Sequence, residues 1–358
     1  MVKTKKNLFT RLAFLATILA FVVVILGAYT RLKDAGLGCP DWPGCYGQLI
    51  VPKTQSALAS ASKLYPQQPV EPTKAWAEMT HRYFAGSLGL LIMVLAGWSF
   101  LARKKDSQHP RIVPQLLIAC VIFQALLGMW TVTWQLLPLV VMGHLLGGMT
   151  IVALLWWLTL DTGRLVTHPP ANSLNYLKPW VILGVVIVFL QIFLGGWTSA
   201  NYASIVCPDF PYCQGQLFPK FNFSEAFNFF SPIGKNYQGG ILGESARVTI
   251  QMTHRYGAFI TTSYILSLTS YVLFSNKTSA LKNTMGMIFL ILTTQIFLGI
   301  LNIATLLYLP IAVSHNAVAL LLLLSMLTLL YQLTTSRKSA VVLVAKQPPA
   351  SHQGMPTL

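Results

Sequence analysis

Charge is what this sequence has least of. Asp, Glu, Lys and Arg make up 9% of its 358 residues, and hydrophobic side chains 54%, where soluble domains run near 25% charged. So little polar surface excludes a chain surrounded by water on all sides. Acid is scarcer than base: nine Asp and Glu stand against 25 Lys and Arg, a net charge of +16. That excess does not indicate nucleic acid, because a nucleic-acid face interleaves aromatics with basic residues on a soluble surface, and no segment here does. No Asp-rich prenyl-diphosphate motif occurs, so prenyl transfer is not this chain's chemistry. Proline is nearly confined to loops and helix ends. Its rarity within the apolar runs counts against a proton-relaying transporter built on helices broken at mid-membrane.

Long apolar runs, in contrast, are abundant. A bilayer-spanning helix needs about 20 such residues, and the hydropathy places spans near 12–31, 76–101, 114–136, 139–160, 179–198, 247–274, 284–306 and 310–333. The first follows a Lys-rich start, as a signal peptide would. Tyr29, Thr30 and Arg31 make a poor small-residue cleavage site, however, so it reads as a retained helix. More than half of the Lys and Arg, among them Lys3, Lys5, Lys6, Arg103, Lys104, Lys105, Lys277, Lys282, Arg337 and Lys338, fall before the first span or after an even-numbered one. Only Asp106 and Asp161 accompany them there, and the other seven carboxylates lie on the opposite side. This positive-inside bias predicts cytoplasmic termini in the cell (inner or plasma) membrane, with lipid as the surrounding partner.

The chain also repeats itself. Residues 30–52 read TRLKDAGLGCPDWPGCYGQLIVP and residues 198–219 read TSANYASIVCPDFPYCQGQLFP. Glu78-Met-Thr-His-Arg-Tyr83 returns as Gln251-Met-Thr-His-Arg-Tyr256, and His144 returns as His315. Each copy holds an even number of spans, so both have one orientation in the membrane. The prediction is an all-α integral membrane protein of eight transmembrane helices, two parallel-repeat four-helix bundles. Residues 1–165 form the first half, 166–335 the second and 336–358 a polar cytoplasmic tail, with the junction near 161–178. Of five cysteines, Cys120 lies in the third span as a small apolar residue. The others predict disulfides Cys39–Cys45 and Cys207–Cys213 in outer, oxidising loops; zinc is the alternative, though two thiolates alone make a poor site. The long outer segments 53–75 and 220–245 receive no role.

Seven histidines occur. His109 and His168 fall in cytoplasmic loops and His352 in the tail, where they read as solvated bystanders. His81, His144, His254 and His315 each sit about five to seven residues inside the outer end of an even-numbered span, roughly 8–10 Å deep. Ionisable residues within spans are rare and functional by default. One such histidine would suit an interhelical hydrogen bond, but four at one depth in two repeat-related pairs fit axial ligation of haem in a four-helix bundle. Zinc or copper would need three or four ligands, and nothing further accompanies His144, His254 or His315 at that depth. Arg82 and Arg255 follow the first histidine of each pair. They serve either snorkelling to the interface or pairing with anionic haem propionates.

These residues resemble the haem A synthase family over about 10–335. The match rests on Gly27-Ala-Tyr-Thr-Arg31-Leu, Gly36-Leu37, the Cys39–Cys45 loop, Glu78-x-x-His81-Arg82, and the single histidines 144 and 315. The resemblance implies an oxidoreductase acting on a CH group. It converts haem O to haem A by two successive hydroxylations of the methyl at ring position 8, for aa3-type oxidases. It further implies a resident haem b on His254 and His315 with Arg255 nearby. Substrate haem falls to His81 and His144, with Arg82 and Arg31 as further substrate-binding residues. Expected partners are a haem O synthase and cytochrome oxidase assembly proteins. Glu78 is the expected catalytic carboxylate: it lies one turn from His81 on the same helix face and becomes Gln251 in the other half, as Arg31 becomes Ser199. The bland alternative is a helix-start carboxylate favoured by the dipole. A di-haem cytochrome exchanging electrons with quinone shares the four histidines but leaves Glu78 unexplained.

Overall fold

The computed structural model describes residues 2–103, 110–163, 165–166 and 174–344, with side chains placed for 7–102, 110–163, 165–166 and 174–334. His109, His168, His352 and the tail beyond 344 lie outside the described residues, as does part of the 161–178 junction. In chain order the α-helices are α1 Val2–Leu32, α2 Gln55–Leu64, α3 Pro72–Arg103, α4 Ile112–Thr133 and α5 Pro138–Thr162. After them come α6 Lys178–Ala200, α7 Phe223–Ala226, α8 Glu244–Phe274, α9 Lys282–Ala304 and α10 Leu309–Val344. Among the described residues, eight are long and apolar enough to cross a membrane: α1, α3, α4, α5, α6, α8, α9 and α10. The structure is all-helical.

Two helices extend farther out than their apolar runs. Pro72 opens α3 at a position where its missing N–H costs nothing, and Glu244 opens α8 at the favourable end of the helix dipole. His81 and His254 therefore sit nine and ten residues from their helix starts, not the expected five to seven. His144 and His315 each sit six residues in. The added turns of α3 and α8 stand among the outer loops.

Helices α1, α3, α4 and α5 pack in a ring, each against the next, and α6, α8, α9 and α10 repeat that ring. The rings meet along α1–α10, α5–α6 and α5–α10. Exchanging one half for the other converts the first contact into the second and leaves the third unchanged. The same reciprocity appears in side chains 168 positions apart: Arg31 Nη2 donates to the Ser199 carbonyl and Tyr202 Oη to Asp34 at 2.6 Å. Both contacts join the two rings.

Between α4 and α5, and again between α9 and α10, the chain reverses through two consecutive left-handed residues. These are Gln135 and Leu136 (φ 46° and 62°), then Leu306 and Leu307 (φ 50° and 63°). Left-handed geometry costs a non-glycine residue about 1–2 kcal/mol. Leu136 N–H to the Thr131 carbonyl and Leu307 N–H to Asn302, each 2.8 Å, help offset it. The outer segments given no role from sequence prove to be packed structure. Segment 53–75 contains α2, capped by Thr54. Segment 220–245 contains α7, whose Ala226 carbonyl accepts from the buried Trp197 indole at 2.9 Å. It then crosses to the first half, where Tyr237 N–H reaches Gln135 and Gln238 reaches Asp34.

Candidate haem site

Each half carries one cysteine loop, and both are built alike. Cys39–Cys45 and Cys207–Cys213 are disulfide-bonded, with Cα separations of 4.7 and 4.6 Å. The Asp of each C-P-D motif accepts two backbone N–H groups across the ring. Asp41 takes Tyr46 and Gly47 at 2.6 and 2.8 Å, and Asp209 takes Gln214 and Gly215 at 2.8 Å each. All four donors lie in the left-handed region, Tyr46 and Gly47 at φ 56° and 75°, Gln214 and Gly215 at φ 54° and 77°. That backbone conformation explains the glycine two places after each second cysteine. Bonding to Gly215 and Gln214 holds the Asp209 carboxyl below its ordinary range.

The residues after each histidine fasten these loops to the helix. Arg82 Nη1 donates to the Asp41 and Gly44 carbonyls, and Arg255 Nη1 to Asp209 and Tyr212. Tyr83 and Tyr256 donate to Leu49 and Leu217, each at 2.6 Å. The two arginines, read from sequence as snorkelling or propionate-pairing residues, each aim Nη1 at loop carbonyls. Length took them to the rim, and the bent loop offers converging acceptors there.

Glu78 is 5% exposed despite its charge. One carboxylate oxygen accepts the Cys39 N–H at 2.8 Å and the other pairs with Arg82, a charge-assisted arrangement that a buried carboxylate requires. In the second half Arg255 Nη2 bonds the Cys207 carbonyl instead, and Gln251 Oε1 is buried with no partner.

Each histidine packs against a glycine on a neighbouring helix. A Cβ on Gly27 would lie 3.0 Å from the His81 ring, and one on Gly128 3.4 Å from His144. On Gly195 it would lie 3.0 Å from His254, and on Gly299 3.2 Å from His315. The His81 and His144 rings meet edge to face, with centroids 6.2 Å apart and planes at 83°. Their Nδ1 atoms, and that of His315, make no hydrogen bond of ordinary geometry, although the backbone of Val23, Gln124 and Gln295 respectively lies against the rings.

Both rings line a cavity of about 670 Å³, within the roughly 300–1,000 Å³ of small-molecule sites. Glu78, Arg82 and Arg31 share its wall, as do Ser199 and Asn316 from the second half. Arg31 also lies over the Tyr202 ring at 4.1 Å, so it ties the halves together as well as facing the cavity. The sequence had not pointed to the glutamines beside the histidines. Gln191 Nε2 lies 3.0 Å from both His254 Nδ1 and the His254 carbonyl, and Gln295 Nε2 lies 3.2 Å from His315 Nε2. Polar amides inside apolar spans were the available signal.

The donor chemistry fits a haem. Two buried imidazoles on facing helices, 6.2 Å apart between centroids, would hold one iron as its two axial ligands. Small residues, Gly27, Gly128 and Gly148, line the cavity beside these rings.

The fold and site therefore define a helical membrane protein with duplicated, disulfide-capped histidine bundles. The chain belongs to the cytochrome oxidase assembly protein family (COX15-CtaA), which matches residues 10–327. It is 42% identical over 323 residues to a protein of Shewanella oneidensis named Heme A synthase, covering 90% of this chain and 96% of that one. Proteins of the same name from Chelativorans sp. (27% identical, 85% and 84% covered) and Alkalihalophilus pseudofirmus (28%, 62% and 67%) also match.

Proposed function

We propose that this protein is a haem A synthase, an oxidoreductase of the cell membrane that oxidises the ring-position-8 methyl of haem O to the formyl group of haem A. The observation that carries this reading is the asymmetry of the site. The imidazole pair of His81 and His144 shares its cavity with a buried carboxylate, Glu78, while the pair of His254 and His315 has the neutral Gln251 at the corresponding place.

On this reading His254 and His315 hold a resident haem b, which when bound supplies the electron-transfer chemistry. Gln191 and Gln295 lie against these two rings, at His254 Nδ1 and His315 Nε2, and help fix their orientation. In the first half His81 and His144 hold the substrate haem, and Gly27 and Gly128 set the depth of their rings. Glu78, fixed by Cys39 N–H and Arg82, stands at the cavity wall. There it stabilises positive charge developing at the substrate carbon or takes a proton from attacking water. The positive-inside bias puts both termini in the cytoplasm and the cysteine loops on the outer face.

Pigment extraction from protein purified after co-expression with a haem O source tests the reading. Haem B together with haem O or haem A is the expected content. Haem B alone would make the protein a di-haem cytochrome.

A further inference from the structure

The cavity around His81 and His144 reaches the surface at its outer end, by Trp42 and Leu49, and again between α3 and α4. Tyr83, Gly86 and Ala125 line it and are also exposed at the protein surface. Its wall between α3 and α4 therefore reaches the outside. Gly86 lies five residues, about 7–8 Å, beyond His81 along the α3 span, so the surface it meets is hydrocarbon. A Cβ on Gly86 would touch nothing within 4 Å, and one on Gly89 would meet only Val121 at 3.4 Å.

The other half differs at the same places. Aligned on the M-T-H-R-Y motif, Gly86 becomes Phe259; aligned on Gly128 and Gly299, Ala125 becomes Ile296 and Val121 becomes Leu292. Three small side chains on one seam correspond to three larger ones on the other. The outer mouth of the cavity, near Trp42 and Leu49, is held down by Arg82 and Tyr83 through the cysteine loop.

We infer that the α3–α4 seam is a lateral portal, through which a haem bearing an apolar tail passes between the bilayer and the His81–His144 site. Phe259 and Ile296 bar the matching α8–α9 seam, so that half keeps its haem. This rests on the haem reading of the site. A substrate must enter and a product leave in every cycle, and a lateral path spares an apolar tail from crossing water. A resident cofactor needs the reverse, a seam too bulky for exchange.

The test measures transfer of haem B from phosphatidylcholine vesicles to the purified full chain, whose tightly held haem is already in place, by the change in Soret absorption. Gly86→Phe with Ala125→Ile should slow uptake at least tenfold and leave the tightly held haem content unchanged. Phe259→Gly with Ile296→Ala should speed loss of the tightly held haem to apomyoglobin at least tenfold. Where the paired bulky variant lowers the tightly held haem, Gly86→Leu alone replaces it, with slowing still expected. Wild-type uptake together with an unslowed bulky variant overturns the portal alone. A wild-type protein that takes up no second haem overturns the reading of the site, and the portal with it.

Discussion

Replacing Glu78 by Gln separates the chemical role of this residue from its structural one. The carboxylate has two partners, Cys39 N–H at 2.8 Å and Arg82. A glutamine oxygen still accepts the Cys39 N–H, so what is lost is the anionic partner of Arg82. Stripping a buried ion pair of one member costs about 3–5 kcal/mol when the other charge is stranded. Arg82 is not stranded, since the Asp41 and Gly44 carbonyls remain, and Arg255 beside Gln251 shows an arginine held by loop carbonyls alone. The appropriate figure is one hydrogen bond to a charged group, about 1.5–3 kcal/mol. The variant should fold, keep its disulfides and keep its haem B. A carboxylate that takes a proton or stabilises developing charge contributes about 10²–10⁴ in rate, so haem A formation should fall by two to four orders of magnitude. The assay is the haem A to haem B ratio of extracted pigment, with accumulation of haem O or a hydroxylated intermediate as the positive sign. Haem A output within a few-fold of wild type would refute the catalytic role and leave Glu78 as the residue that holds Arg82 and the cysteine loop.

Other perturbations separate the halves. His254→Ala or His315→Ala should remove tightly held haem B and all activity, while His81→Ala or His144→Ala should block turnover and leave haem B largely in place. Loss of haem B on changing His81, read from the pigment spectrum, would reverse the assignment. Gly195→Ala puts a methyl 3.0 Å from the His254 ring and Gly27→Ala does the same to His81. Overpacking of this kind costs about 1–3 kcal/mol, so the first should weaken haem B retention by one to two orders of magnitude and the second only binding in the first half, both by haem titration. The Asp209 carboxyl is held below its ordinary range by the Gly215 and Gln214 N–H groups. Its contribution to the loop is therefore present above the unfolded-state value and lost as pH falls through the lower folded value. Hydrogen exchange at Gln214 and Gly215 should quicken across that acid window, and Asp209→Asn should abolish the pH dependence.

Much of this architecture was legible along the chain because its causes are local. Apolar length alone sets where helices of a bilayer protein run, and the spans read from hydropathy are the long helices found. Repetition of C-P-D-x-P and of M-T-H-R-Y was plain from residue identity, and C-x5-C spacing brought each cysteine pair within bonding reach. The outer ends of α3 and α8 were not legible in the same way, because a helix does not stop where hydrophobicity does. Lys74 and Glu244 remain helical beyond the apolar run.

Partners were not legible, because a side chain's partner is chosen by packing between segments far apart in sequence. Arg82 reads along the chain as a residue of the rim, and only the folded loop shows the Asp41 and Gly44 carbonyls beside it. Arg31 reads along the chain as a substrate contact, yet it also bridges to Ser199 and Tyr202 in the other half, which only the meeting of the two rings brings near. Gln191 is one polar residue in an apolar run until α6 turns it onto His254. Gly86 and Ala125 carry no chemistry that a motif could flag. They matter because α3 and α4 place them side by side at the edge of a cavity, and small residues there leave a gap. The sequence by itself determined the number of spans, the duplication and the four histidines, through length, identity and spacing. Tertiary structure decided which charges are clamped, which rings meet and where the site opens, because those follow from contacts between helices.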